Sequence, residues 1–475
     1  MSELKTDKIV VDKKVINGWA MYDWANSVFT LTITSSIFPI FFENITVQKD
    51  AAGQVISDYV NFFGFSIRNT SLLSWTFTLS FLLIAFITPL LSGIADYSGK
   101  KKSFMKFFAV LGSVSCSLLY FFEVDGIELG MTFLMLATIG YSGSIVFYNA
   151  FLPEIAPPEM QDKVSAKGYS LGYLGSVILL VFNLLMIMKP EWFFSIEAMT
   201  ESILASGNVS LIEAQEEARS YYVGLSTRIS FLSVGVWWLG FSLITFKILP
   251  ENTYNRKPAG QYIYKGYLEL LDVWRSLKNN PVLKRFLFSY FTFNMGVQTV
   301  MYMAITFAKK EITGMPDSGL IISILIIQLI AIVGAYFFSY LSGKIGNINA
   351  LKVAVGFWLL IMIQAYFTYT AYDFYLLAGS VGLVMGGIQS LSRSTYSKIL
   401  PSTIDHASYF SFFDISDKLG VVTGTLIFGM IYAYTGNTRN TLFALSIFFV
   451  IGLVLLYTIP RQSQKTTTNE GGNGL

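Results

Sequence analysis

The chain reads NGWAMYDWANSVFTLTITSSIFPIFF from Asn17 to Phe42, a stretch that is long and apolar enough to cross a lipid bilayer. At helical spacing its polar residues fall on one stripe: Asp23, Asn26, Thr30 and Thr34, with Tyr22 at the edge. A carboxylate at membrane depth is costly and as a rule faces a bundle interior or a water-filled cavity. The stretch therefore predicts a membrane helix with one polar face, and it marks Asp23 as a candidate functional residue.

Composition extends this prediction to the whole chain of 475 residues. Only 13% of the residues are charged and 53% are hydrophobic, whereas soluble domains are about 25% charged. Runs of about 20 apolar residues, the length that spans a bilayer, can be read at twelve places. The predicted spans begin near Gly18, Thr70, Ser103, Leu129, Val164, Arg228, Arg285, Ser318, Ala350, Phe374, Ser408 and Thr441. We therefore expect an all-α, multi-pass integral membrane protein.

Basic residues predict its orientation. Lysines precede the first span and follow the second, and the long loop after the sixth is also basic, whereas the short loops on the opposite side carry few basic residues. Both termini are therefore expected in the cytoplasm. The membrane would be the plasma (inner) membrane in a bacterium, or a vacuolar or lysosomal-type membrane in a fungus.

The predicted organisation has five parts. These are a cytoplasmic segment (1–17), a six-helix bundle (18–249), a cytoplasmic linker (250–284), a second six-helix bundle (285–459) and a disordered cytoplasmic tail (460–475). Apolar residues at helical spacing from Tyr267 to Leu277 predict an amphipathic helix on the membrane surface within the linker. A second, short amphipathic helix is predicted from Ser210 to Tyr222 in an outer loop.

The chain has one cysteine, Cys116, and one histidine, His406. An intramolecular disulfide, a cysteine metal cluster and a multi-histidine metal site are therefore excluded, and we predict neither a metal nor a cofactor. His406 is expected in a solvated cytoplasmic loop between the tenth and eleventh spans. An enzyme is disfavoured, since the sequence offers no nucleophile with a base.

The two halves of the chain echo each other. The sequence YNAFLP (Tyr148 to Pro153) ends the fourth span and YSKILP (Tyr396 to Pro401) ends the tenth. Two further pairs keep the same order: Tyr22 and Asn26 with Tyr290 and Asn294, and Leu174-Gly175 with Leu419-Gly420. An internal duplication of six spans is typical of a transporter whose site lies between the halves near the midplane.

The segment PLLSGIADYSGKKK from Pro89 to Lys102 resembles the loop signature of the major facilitator superfamily, Gly-x-x-x-Asp-Arg-x-Gly-Arg-Arg. Asp96, Gly99 and Lys100 match, whereas Tyr97 replaces the usual arginine and Ser92 the first glycine. Gly99 permits a tight turn, and the lysines can anchor to anionic lipid heads. Asp96 can accept hydrogen bonds from the N-terminus of a neighbouring helix and so latch the halves together.

Three longer segments resemble one branch of that superfamily, the vacuole-effluxer-like (autophagy-related) permeases. They are GWAMYDWANSVFTLTITSSIFP (from Gly18), YNAFLPEIAP (from Tyr148) and GGIQSLSRSTYSKILPSTIDHASYFSFFDISDK (from Gly386). The resemblance covers essentially the whole membrane region. It implies twelve helices in two pseudo-symmetric six-helix bundles, the first, fourth, seventh and tenth lining the cavity, and efflux of amino acids.

Polar side chains inside the other spans complete the candidate site. Tyr290, Asn294 and Gln298 form a stripe on the seventh span, as Gln389 and Arg393 do with Ser397 on the tenth. An arginine without a partner in lipid costs about 2.5–3.5 kcal/mol on insertion scales, so Arg393 is expected to pair with Asp23 or Asp414. On the eleventh span Asp414 and Lys418 are one helical turn apart and can pair. The predicted gate or charge network comprises Asp96, Gly99, Lys100, Glu154, Asp414, Asp417 and Lys418.

Two roles for these charges stay open. In the first role they bind the charged ends of a zwitterionic solute, and in the second they close a cytoplasmic gate. In either role, Asp23 or Asp414 can carry a proton. We expect a secondary transporter that moves an amino-acid-like solute and couples this movement to a proton or cation. The protein is expected to be a monomer in the bilayer and to have no nucleic-acid partner. The alternatives are a sugar or glycoside–cation symporter and a transporter-derived sensor or receptor. The mixed charges favour a zwitterion, because a sugar site relies on neutral hydrogen bonders and stacked Trp rings.

Overall fold

The computed structural model describes residues 11–50, 54–207, 209–251, 254, 260–312 and 314–460. The predicted tail after residue 460 and the first ten residues of the N-terminal segment lie outside the described residues. Most of the linker before Gly260 does as well.

The first half of the chain is helical apart from two small antiparallel hairpins. Its helices are α1 (Lys13–Val28), α2 (Ile37–Thr46), α3 (Asn69–Ser98), α4 (Lys101–Leu118), α5 (Ile127–Asn149), α6 (Leu152–Ile155), α7 (Pro158–Met188), α8 (Ile196–Ser206) and α9 (Leu211–Ile248). Between α2 and α3, strand β1 (Gln48–Lys49) pairs with β2 (Val55–Ser57), and β3 (Tyr59–Phe62) pairs with β4 (Phe65–Arg68).

A linker helix, α10 (Tyr262–Asn279), leads into the second half. The remaining helices are α11 (Pro281–Glu311), α12 (Asp317–Ile345), α13 (Asn347–Tyr366), α14 (Ala371–Ile399), α15 (His406–Thr435), α16 (Thr438–Ala444) and α17 (Ser446–Thr458). Helix α10 confirms the helix predicted in the linker. It packs against α3, where a Cβ on Gly93 would lie 2.3 Å from the carbonyl oxygen of Gly266.

Eleven helical segments of the described residues are long and apolar enough to cross a membrane. Helix α11 is the twelfth span: it has 31 residues and packs along α15 and α17. Its hydropathy is lower because Tyr290, Asn294 and Gln298 lie in its middle. The predicted twelve-helix membrane architecture is therefore confirmed.

The first span is less regular than the sequence predicts. Its α-helical part ends at Val28, a π-helical segment follows from Phe29 to Thr34, and α2 begins at Ile37. A π-helix closes its hydrogen bonds from i to i+5, so the polar stripe predicted from Asp23 to Thr34 does not continue in register. Asp23 and Asn26 are both buried.

One loop prediction is wrong, and other loop elements were not predicted. The stretch from Ser210 to Tyr222 is not a separate short helix, because it forms the cap and the first turns of the 38-residue helix α9. Ser210 caps that helix in a capping box with Glu213, which starts the helix early and lets it continue into the sixth span. The hairpins and α8 have no counterpart in the sequence-based prediction.

The halves meet along two seams, α7 against α12 and α14, and α3 against α15. We call the end of the bundle that carries α10 and the turns α3–α4, α5–α7 and α14–α15 the linker end. The end with the β-hairpins and α8 is the hairpin end. These names define the positions of the contacts that follow.

Candidate functional site

An ion pair joins the two halves between α1 and α14. Arg393 Nη1 lies 3.0 Å from Asp23 Oδ2, and both side chains are almost completely buried, at 2% and 6% exposure. The Tyr148 hydroxyl donates a second hydrogen bond to Asp23 Oδ2, at 2.7 Å. The structure thus selects Asp23, of the two predicted candidates, as the partner of Arg393.

All three guanidinium nitrogens of Arg393 donate hydrogen bonds, and the acceptors lie on the first half. Nε donates to Ser165 Oγ at 2.9 Å, Nη2 to the Ser165 carbonyl oxygen at 2.8 Å, and Nη1 to Asn149 Oδ1 at 3.4 Å. The guanidinium carbon lies 4.1 Å from the ring centre of Tyr169 and 4.8 Å from that of Trp19. Arg393 is therefore held by hydrogen bonds, an ion pair and cation–π contacts.

The closeness of α7 to this pair depends on Gly168. A Cβ at that position would lie 2.2 Å from Asp23 Oδ2 and 2.9 Å from Arg393 Nη2. Any larger residue would have to displace one partner of the ion pair. Small residues of this kind let membrane helices approach closely.

Asp96, at the end of α3, accepts three hydrogen bonds from the N-terminus of α15. Its carboxylate accepts from the backbone N–H of Ala407 (3.2 Å), the backbone N–H of Ser408 (2.7 Å) and the Ser408 hydroxyl (2.8 Å). The contact predicted for Asp96 is therefore present, and it satisfies helix N-terminal donors from the opposite half. Gly99 takes φ +67°, the left-handed turn expected after the helix.

A buried cluster around Glu154 corrects two predictions. His406 is not in a solvated loop: it is the first residue of α15, it is buried, and its Nδ1 lies 3.0 Å from Glu154 Oε1. Lys101 also pairs with Glu154. Lys100, predicted for the network, is exposed, and its neighbours Lys101 and Lys102 are buried instead, because the helical turn of α4 directs them inward.

A further bridge, which the sequence does not predict, joins α7 to the second half. Lys398 Nζ lies 2.7 Å from Asp162 Oδ2, and Asp162 also accepts hydrogen bonds from Ser342 (2.7 Å) and Asn347 (2.7 Å). Its only sequence signal was an acid at the start of α7 and a lysine at the end of α14. Together with the contacts of Asp23, Asp96 and Glu154, this bridge closes the linker end.

A second polar cluster lies in the middle of the second half, around Asp417 on α15. Asp417 Oδ1 accepts from Asn294 Nδ2 at 2.8 Å, the Tyr290 hydroxyl at 3.3 Å and Gln298 Nε2 at 3.4 Å. The predicted stripe on α11 is therefore directed at this carboxylate. Lys418 Nζ lies 2.8 Å from Asp417 Oδ2.

Asp414 belongs to this second cluster and not to Arg393. It lies 3.5 Å from Lys418 Nζ through Oδ1, which confirms the predicted pairing one helical turn apart. The expectation that Asp414 offers Arg393 a partner is not met, since Asp23 occupies that guanidinium. We call Asp414, Asp417 and Lys418 the α15 triad. At about 1.5 Å per residue, Lys418 lies roughly 18 Å along α15 from its first residue, near the middle of the helix.

The other predicted site residues are divided between these regions. Gln389 accepts a hydrogen bond from the Tyr173 hydroxyl at 2.6 Å and so joins α14 to α7. Tyr22 packs inside the first half against Tyr148 and Phe246, away from α11. Asn26 is buried. Tyr22 and Asn26 therefore do not share the environment of Tyr290 and Asn294, despite the sequence echo.

Tyr169 on α7 covers Arg393, with its ring centre 4.1 Å from the guanidinium carbon. Tyr169 and Tyr141 on α5 are also close enough to Asp417 and Lys418 to interact with them electrostatically. Within the described residues, no group of three His, Cys, Asp or Glu side chains is placed to hold a metal ion.

Sequence comparison decides the family to which these features belong. The model of a family described as "Vacuole effluxer Atg22 like" matches residues 11–469. The chain belongs to this family. It is 28% identical over 455 residues to an uncharacterized MFS-type transporter, YxiO, of Bacillus subtilis (strain 168), covering 96% of each chain. It is 25% identical to Autophagy-related protein 22 of Yarrowia lipolytica, over 85% of this chain and 78% of that protein.

Solved structures show the same fold. The crystal structure of the major facilitator superfamily transporter FucP in the outward conformation superposes with a TM-score of 0.65 at 12% identity, covering 94% of this chain and 98% of that chain. A bacterial homologue of the iron transporter ferroportin, in an outward-facing state, gives 0.63 at 11% identity and covers 94% and 99%. The family match and the shared fold identify this vacuole-effluxer-like chain as a transporter of the major facilitator type.

Proposed function

We propose that this chain moves a small zwitterionic, amino-acid-like solute across the membrane by alternating access, in the direction of efflux. The observation that carries the proposal is the Asp417–Lys418 pair on α15 with its neutral neighbours on α11. It places both signs of charge and several amide and hydroxyl groups in the middle of a membrane bundle. Charged groups at that depth mark substrate or ion pathways.

The Asp417–Lys418 pair complements the two charged ends of a free amino acid. Asp417 can accept hydrogen bonds from the ammonium group of the solute, and Lys418 can donate to its carboxylate. Asn294 and Gln298 add neutral hydrogen bonders on the facing helix. A sugar offers no charged group to exchange for the Asp417–Lys418 contact, which measures 2.8 Å in this structure. The family description and the resemblance to vacuole effluxers support the direction of movement.

Arg393 serves in this proposal as a gate residue and not as a solute ligand. Its three guanidinium nitrogens donate to Asp23, Asn149 and Ser165, so a solute carboxylate would have to displace these acceptors while the linker end is closed. Separation of Asp23 from Arg393 would accompany opening of that end. The second bridge, Asp162 to Lys398, would open in the same step.

A thermal-shift screen of the purified protein tests the solute class. Free amino acids should raise the melting temperature, and amino acids blocked at the amine or at the carboxylate should not, since each lacks one charge. Asp417→Asn and Lys418→Gln should lose the stabilisation, and Ser416→Ala, whose hydroxyl only bonds the Phe412 carbonyl of its own helix, should keep it. Stabilisation by sugars alone would contradict the zwitterion proposal.

Counterflow in proteoliposomes then separates a transporter from a receptor. Vesicles loaded with unlabelled amino acids should transiently accumulate a labelled amino-acid mixture. A binding protein that does not move its ligand gives no accumulation, and that result with the thermally stabilised protein would contradict transport.

A further inference from the structure

The α15 triad contains more negative than positive charge. Two carboxylates, Asp414 and Asp417, share the single ammonium group of Lys418, at 3.5 and 2.8 Å. All three side chains are at most 18% exposed. A buried charge without compensation is costly in a membrane protein, so the triad requires one further positive charge.

The two carboxylates are satisfied very differently. Asp417 accepts hydrogen bonds from three α11 side chains and from Lys418. Asp414 is 95% buried, its Oδ1 faces Lys418, and its Oδ2 has no hydrogen-bond donor among the described residues. Oδ2 of Asp414 is therefore the atom at which the missing charge would bind.

Among the residues that the structure describes, the surroundings of Asp414 supply no other cation. From α11, Tyr290 faces both acids; from α5 and α7, Tyr141 and Tyr169 lie near Lys418, as does Tyr302 of α11. The α3 neighbour is the Phe81 ring, 5.6 Å from Lys418 Nζ. At the linker end of α15, α10 contributes the neutral contacts Trp274–Phe412 and Ser276–Tyr409, and α16 meets α15 near Thr435.

We propose that Asp414 is the proton-carrying residue of this transporter: its carboxylate binds one proton from the aqueous phase on one side of the membrane and releases it on the other. The inference rests on the proposed function. It assigns proton transfer to Asp414 and the gate to Asp23. A zwitterionic solute is neutral overall and so does not compensate the triad, whereas one proton on Asp414 does. Asp23 keeps its charge for Arg393 and acts in the gate.

A transport assay on the full chain in proteoliposomes tests this division. We expect the wild type to exchange a labelled amino-acid mixture without gradients and to accumulate it when a pH gradient is imposed. Asp414→Asn should retain exchange and lose accumulation driven by the pH gradient, because an amide cannot release a proton. Ser416→Ala should retain both. Undiminished pH-driven accumulation in Asp414→Asn, or wild-type accumulation driven by sodium and not by protons, would overturn the assignment.

Infrared difference spectroscopy during a pH titration tests the proton site without any solute. The wild type should show the C=O stretching band of a protonated carboxylic acid; Asp414→Asn should lack it and Asp23→Asn should retain it. Loss of that band in Asp23→Asn or Asp417→Asn, with retention in Asp414→Asn, would overturn the proposal. If the band belongs to Asp414 and the wild type exchanges no amino acid, the proton site stands and the proposed solute class fails.

Discussion

Asp23 and Arg393 are 370 positions apart in the chain, and their side chains meet at 3.0 Å between the first and second halves. The pair is buried, and its carboxylate and its guanidinium are each held by further groups of the first half, Tyr148 on the acid and Ser165 on the base. A buried pair of this kind favours one arrangement of the two halves over others. It is therefore the central contact of the closed linker end.

The space around Gly168 predicts the effect of a single methyl group. In Gly168→Ala the new Cβ would lie 2.2 Å from Asp23 Oδ2, so the carboxylate must shift, and we expect a weaker ion pair and a linker end that opens more often. The measurement is the rate of maleimide labelling of Ser390→Cys in a Cys116→Ala background, since Ser390 is buried at the seam with Ser165. We expect faster labelling in Gly168→Ala.

The matched control for this prediction is Gly240→Ala. Gly240 is also helical, and a Cβ there would meet nothing within 4 Å. Labelling should be unchanged in this variant. Equal labelling rates in Gly168→Ala and the parent protein would show that the pair tolerates the methyl group.

The ion pair predicts strong coupling between its two members. Removing one partner of a buried pair costs about 3–5 kcal/mol, because the remaining charge is left without a counterion. Asp23→Asn and Arg393→Gln should therefore each lower thermal stability markedly, and the double variant should lose less than the sum. Additive losses in the double-mutant cycle would indicate that the two groups do not interact in the membrane.

Variants at Asp96 and Ser408 should destabilise the N-terminus of α15 to different degrees. Asp96→Ala removes three hydrogen bonds to that helix, whereas Ser408→Ala removes only the one from its hydroxyl. Loss of a helix cap costs about 0.5–2 kcal/mol, so Asp96→Ala should destabilise the protein more than Ser408→Ala in thermal unfolding. Equal losses would mean that the backbone donors of α15 do not depend on Asp96.

Glu251 predicts a weak pH dependence outside the membrane spans. The hydrogen bond from Lys102 holds the pKa of Glu251 below its ordinary value. The contact therefore stabilises the folded protein at pH values above the ordinary pKa of a glutamate, and this stabilisation is lost as the pH falls through the lowered pKa. The carboxylate is 68% exposed, which limits its contribution to less than about 1 kcal/mol. Glu251→Gln should slightly lower the melting temperature at neutral pH and slightly weaken its fall towards acidic pH. A decrease in melting temperature as large as that of Asp23→Asn would contradict the prediction that this contact is weak.

The sequence predicts the membrane spans because each span is recognised from the apolar residues of its own segment. It also places Asp23, Asp96 and Arg393 as functional candidates, since a charge in or beside a membrane span is costly wherever the helix lies. The pairing of Asp414 with Lys418 follows from helical spacing within one element. These predictions need no knowledge of how the helices pack.

Contacts between elements distant in the chain could not be predicted in this way. Asp162 and Lys398 lie at helix ends, where charges are common, so nothing in their local sequence marks them as a pair. His406 was assigned to a loop because helix boundaries are the least certain part of a sequence-based prediction. The choice of Asp23 over Asp414 for Arg393 depends on how α1, α14 and α15 pack together, which is a property of the three-dimensional structure.

In the proposed cycle, the halves must separate at the linker end for transport. A cysteine pair at Asp162 and Ser342, which are joined by a 2.7 Å hydrogen bond across the seam, tests it in the Cys116→Ala background. After cross-linking with a short reducible reagent, counterflow of a labelled amino-acid mixture should fall to the level of empty vesicles and return when the link is reduced. Full counterflow by completely cross-linked protein would contradict the account.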